Sequence, residues 1–145
     1  MLQPRETFAC LLQYCHRPER EEGVNVGVVV IRTGTASVVV RIDEDLSAVT
    51  RALGLEPAEL DWLRRHLAEE KNLLESSSPS HHDLRARSEA PPSSLLVRPP
   101  RRVLLGGTVA DVADELMRRH VLPLAVVESV RRGRPVSRPR RVIDA

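Results

Sequence analysis

Asn25 and Gly27 interrupt the stretch from Glu22 to Ile31, the longest apolar run of the chain, and are the two residues in it least suited to plain packing. Two positions apart on a strand, they fall on one face, opposite Val24, Val26, Val28 and Val30. An amide beside a missing side chain makes a shallow pocket, with Asn25 as its hydrogen-bonding floor and Glu22 at its mouth. Glu22, Asn25 and Gly27 are therefore the binding residues expected from this stretch. A structural account fits the same pair: Asn25 satisfies a buried backbone group at a bulge, and Gly27 lets a neighbouring helix approach.

Other chemistry-bearing residues fit a quieter explanation. Cys15-His16 and His81-His82 are zinc-ligand types, but their spacing matches no zinc motif, and they read as core cysteines and solvated histidines. Gly106-Gly107-Thr108 opens a helix after a strand, a geometry that can hold phosphate on backbone N–H groups. It lacks the lysine of a P-loop, and a turn plus an N-cap accounts for it. There is no G-x-S-x-G, no residue is spaced in the sequence to orient a catalytic cysteine, and Glu21-Glu22 reads as a solvated acidic pair on a turn. No catalytic residue, metal ligand or cofactor is assigned.

Charge is unevenly placed. Residues 131–145 carry six Arg (Arg131, Arg132, Arg134, Arg138, Arg140, Arg141) against one Asp, so +5 of the net +2 sits there and the remainder is −3. Such a tail can contact phosphates in a salt-sensitive, sequence-independent way, or simply act as a solubilising end. Aromatic residues number three, Phe8, Tyr14 and Trp62, which argues against a reader that stacks single-stranded bases.

The length of 145 residues and 41% apolar content suit one domain with a core of Val, Leu and Ala. Cys10 and Cys15 on one extended strand would lie ~17 Å apart, too far to bridge. Free thiols suit a reducing cytoplasm, and no apolar run reaches the length of a membrane span.

The elements that position these residues follow from period and punctuation. Strands are expected over 7–15, 24–32 and 36–42, joined by the charged link 16–23 and by Thr33-Gly34, as an antiparallel meander. Asp43 or Asp45 caps a short helix that stops at Gly54. A second helix opens at Pro57 and buries Leu60, Leu63, Leu67 and Leu74, while Trp62 covers an edge. Residues 76–94, with seven Ser and three Pro, read as a mobile loop. Short strands follow at 95–97 and 103–105, separated by Pro99-Pro100. Thr108 with Asp111 forms a capping box for a third helix with Val109, Val112, Ala113 and Leu116 inward, ending before Pro123. Residues 124–130 are a last strand or a helical turn, and the tail from Arg131 is disordered. The fold class is α+β: an antiparallel sheet with about three helices mainly on one face, as a single domain over 1–130.

Gln13-Tyr14, the link through Arg20-Glu21-Glu22, and Asn25-Val26-Gly27-Val28-Val29 together resemble the bacterial family catalogued as domain of unknown function (DUF) 3037. Arg98 to Val121, including Leu116, is similar to that family's C-terminal part. The resemblance implies a small bacterial protein, often encoded beside a kinase-like protein of the HipA type, and no established reaction. The function expected is a non-catalytic cytoplasmic accessory protein with a protein partner, the kinase-like protein among the candidates. The competing expectation is a nucleic-acid-binding accessory factor using the Arg tail, and the weakest is an enzyme with a site near Glu22 and Asn25.

Overall fold

The computed structural model describes residues 5–16, 23–90 and 94–122. Glu22, the segment 124–130 and the Arg tail of 131–145 lie outside them. Strands β1 (Thr7–Tyr14), β2 (Val24–Arg32) and β3 (Val38–Ile42) form the expected antiparallel meander. Helices α1 (Ser47–Leu53), α2 (Pro57–Ser77) and α3 (His81–Ser88) follow. Strands β4 (Leu95–Val97) and β5 (Arg101–Val103) precede helix α4 (Val109–Leu116), which runs on into a π-helical turn, Met117–Val121.

The sheet order is β3-β2-β1-β4, and β5 also pairs with β1. β4 and β5 are thus one broken edge strand on β1. Pro99-Pro100 breaks it, because proline has no N–H to give to the ladder. Arg98 N–H still reaches the Leu11 carbonyl at 2.9 Å, and pairing resumes at Ala9 with Arg101. At the other edge, Glu75 of α2 accepts the N–H of Val40 at 3.1 Å, which occupies part of the open side of β3.

Three helices cover one face. Val49 of α1, Leu63, Leu67 and Leu74 of α2, and Leu84 of α3 pack with Leu12, Val29, Ile31 and Val40. α4 and the π turn cover the other face, where Val109, Val112, Ala113, Leu116, Met117 and Val121 pack on Val28 and Val30. Each such Val or Leu contributes roughly 1.5–3 kcal/mol when fully buried, so α4 is firmly seated.

Strand β2 departs from simple alternation. Leu12 pairs with Gly27 and Gln13 with Asn25, which leaves Val26 as an extra residue in a β-bulge. The bulge reverses the parity of the strand. Val26 packs with Val29 and Ile31 under the three helices, while Val28 and Val30 turn to α4. Asn25 and Gly27 consequently lie on opposite faces, contrary to the alternation expected from the sequence. Gly27 is buried where β3 passes closely: a Cβ there would stand 2.6 Å from the Arg41 carbonyl oxygen and 3.2 Å from Leu12.

Two further differences have local causes. The region read as a mobile loop carries α3, nucleated by a capping box between Ser80 and Asp83 and anchored by buried Leu84. α1 begins after Leu46, which takes the left-handed conformation at φ 53°. Its cap comes from Asp43, whose buried carboxylate accepts the backbone N–H groups of Ala48, Leu46 and Asp45.

Candidate binding groove

α4 lies over β2 and β3, so the same face of β1 stays uncovered toward the β4–β5 edge. The result is a groove of about 640 Å³. Ala9, Leu11, Gln13 and Val28 form its floor. One wall is the end of α4 with its π turn, through Leu116, Arg119 and His120. The other is the proline corner and the strand after it, through Arg98, Pro99, Arg101, Arg102 and Val103, continued by Leu104 and Leu105. Its volume falls within the ~300–1,000 Å³ typical of ligand sites.

Four arginines and a histidine stand around a floor that is apolar apart from Gln13, and no acidic residue is among the described residues lining it. Arg102 is held by Glu6 at 2.8 Å, and Arg119 by Glu115 at 2.7 Å. Arg118 also pairs with Glu115, whose carboxyl is held below its usual range first by the Arg119 hydrogen bond. Arg98 and Arg101 are exposed and have no carboxylate partner among the described residues. Leu104 is 87% exposed, the most of any large hydrophobic side chain among the described residues, where Leu73 and Leu122 are also exposed. An exposed leucine beside unpaired guanidinium groups is a surface suited to contact, not to stability.

The expected site residues are distributed differently. Asn25 stands behind the π-turn wall rather than in a pocket of its own. Its Oδ1 accepts from Gln13 Nε2 at 2.8 Å and its Nδ2 donates to the His120 carbonyl at 2.9 Å. Asn25 therefore ties the bulge, the groove floor and the π turn together, although the His120 carbonyl it bonds is exposed and not buried. Gly27 faces the other side of the sheet, and Glu22 lies outside the described residues. Asn25 and Gly27 thus do not share a pocket.

The remaining candidates are also placed. Burial pushes the Cys10 thiol up to about 12, with Arg85 opposing, so at neutral pH it is a protonated core group and not a nucleophile. His81 stacks on Phe8 at 4.7 Å, while His16 sits near Tyr14 and Glu59. Among the described residues no three His, Cys, Asp or Glu lie together as metal ligands. Thr108 and Asp111 close the start of α4 with reciprocal 3.0 Å bonds. A carboxylate already occupies that helix terminus and would repel a phosphate.

Sequence reasoning missed the groove because its parts are far apart in the chain. Arg98, Arg101 and Arg102 flank Pro99-Pro100, whereas Arg119 and His120 close a helix. Neither group has a spacing motif. Only the pairing of β4–β5 with β1 and the placement of α4 bring them to the two sides of one floor.

A model of the family described as "Protein of unknown function (DUF3037)" matches residues 9–121. Every residue lining the groove, from Ala9 to His120, falls within that match, and the Arg tail falls outside it. No curated protein and no solved structure matches the chain.

Proposed function

The chain belongs to the DUF3037 family, and we propose that it is a non-catalytic accessory protein that holds a protein partner in the groove along β1. The observation that carries this reading is the exposed Leu104 set beside Arg98 and Arg101, which no carboxylate of the described residues pairs, over a mainly apolar floor. An apolar anchor with a polar, charged rim is the usual anatomy of a protein contact surface. The lining offers guanidinium groups and one imidazole but no carboxylate to pair with them, and its one thiol, Cys10, is held protonated by burial, which favours holding over bond-breaking. The compartment proposed is the cytoplasm. No helix among the described residues is long and apolar enough to cross a membrane. The kinase-like protein implied by the resemblance is the first partner to test.

The test is capture from the native host with a tagged full-length chain, compared with Leu104→Asp and Arg101→Glu variants by mass spectrometry. One protein recovered by the parent chain and lost from both variants is the expected result. A recovered partner that both variants retain would place the contact elsewhere. Recovery of nuclease-sensitive nucleic acid instead would favour the Arg-tail reading.

A further inference from the structure

We propose that the groove receives an acidic peptide segment bearing an aliphatic side chain, a claim that rests on the groove being the contact surface. Charge complementarity is the first argument. Among the described residues Arg98 and Arg101 have no carboxylate partner, and Arg102 and Arg119 each engage a single acid at the groove's edge, Glu6 and Glu115. Guanidinium is planar and weakly hydrated, and its fork matches a carboxylate in two-point contact. A peptide with carboxylates along one side would pair with both Arg98 at the proline corner and Arg101 after it.

The second argument is the floor. Half-buried Leu11 on the floor and half-buried Val103 on the wall leave an apolar strip beside the cations, and Leu104 stands out at its rim. A wholly polar ligand would leave this strip unmatched, whereas a leucine or isoleucine flanked by acids would cover it.

Three other occupants fit less well. The lining contains no Phe, Tyr or Trp, and His120 is its one ring on which a base could stack, so single-stranded nucleic acid would gain mainly phosphate contacts. The chain's own C-terminal segment carries +5 and would be repelled. The long exposed helix of a second copy, α2, interleaves Arg64 and Arg65 with Asp61 and Glu69 and so lacks a uniformly acidic side.

Fluorescence anisotropy with the full chain tests the assignment. The probes are a labelled peptide of Leu and Glu, the same peptide with Gln for Glu, and a single-stranded oligonucleotide. The Glu peptide should bind roughly fivefold or more tightly than the Gln peptide at low salt, the combined effect of two solvent-facing ion pairs. The double change Arg98→Glu, Arg101→Glu should erase that preference, and Leu104→Ser should weaken both peptides. These side chains are exposed, so an unchanged melting temperature verifies that the fold survives. Equal or absent peptide binding overturns the assignment, as does an oligonucleotide that binds more tightly through the same arginines. Self-association that Leu104→Ser abolishes also overturns it, in favour of a second copy. The two readings fail separately. Partner capture that depends on Leu104, with no peptide selectivity, removes the ligand class and leaves the docking surface. Selective peptide binding, with capture indifferent to the groove, removes the accessory role and leaves the ligand class.

Discussion

The Asn25 side-chain amide donates to the His120 carbonyl oxygen across 2.9 Å, joining residues 95 apart in sequence. His120 lies in a π turn, where hydrogen bonds run five residues back and the helix is less tightly wound, as in the bond from the Leu122 N–H to the Met117 carbonyl. Such turns are rare and need support from outside the helix. Buried Met117 and Val121 supply it on the core side, and Asn25 supplies it at the backbone.

Asn25→Ala should therefore act in two places. Loss of the part-buried bond from Gln13 and the exposed bond to His120 should cost about 0.5–1.5 kcal/mol of stability, read from urea unfolding. Affinity for a groove ligand should fall by more than the folded population does, because His120 and Arg119 lose their fixed position on the wall. Unaltered affinity at reduced stability would show that Asn25 holds the fold alone.

Gly27→Ala and Gly27→Val should both destabilise. The atom a new Cβ would meet is the Arg41 carbonyl of the neighbouring strand, which cannot swing aside as a side-chain tip can. The β2–β3 ladder must shift, at a cost of ~1–3 kcal/mol. An unchanged denaturation midpoint would show that β3 is not held in this register.

What the sequence discloses here depends on how local each signal is. The capping box of Thr108 and Asp111, the proline opening α2 and the inward face of α4 are set by residues within a turn of one another, and all appear in place. The three-strand meander is equally legible, from β-branched runs and short links. The bulge at Val26 is not, because a strand with apolar residues on both sides gives the same pattern with or without an extra residue. Only the pairing with Leu12 and Gln13 places it. α3 was obscured for a different reason: Ser and Pro dominate the region's composition, while the Ser80–Asp83 box and the single anchor Leu84 are small signals within it. The groove required long-range topology, which no local pattern carries.

Removal of the residues after Val130 should leave the fold intact, since the described sheet and helices are complete by Leu122. Stability should stay within about 0.5 kcal/mol, the usual range for changes away from packed features. Salt-sensitive nucleic-acid binding, if the full chain shows it in gel shifts, should disappear with the tail, while a peptide in the groove should still bind. Nucleic-acid binding that survives truncation would move that activity onto the groove arginines.

Asp43 and Glu75 should give the stability opposite dependences on pH. Burial raises the Asp43 carboxyl, and the N–H bonds from Ala48 and Leu46 offset this only in part. A raised folded-state value means that the native protein binds the proton more tightly than the unfolded chain does. The contribution of Asp43 is thus fully present below its unfolded value and is lost as pH rises through the folded one. Burial pushes Glu75 upward too, but the Val40 N–H and Lys71 outweigh it and the carboxyl is lowered. Its contribution is present above the unfolded value and is lost as pH falls through the folded one. Between pH ~3 and ~7, the stability advantage of the parent chain over Asp43→Asn should shrink as pH rises. Its advantage over Glu75→Gln should grow across the same window. Urea midpoints of the three proteins at several pH values would measure both trends. If both differences moved in the same direction, either Asp43 would not be shielded from water beneath α1 or Glu75 would not hold the edge of β3.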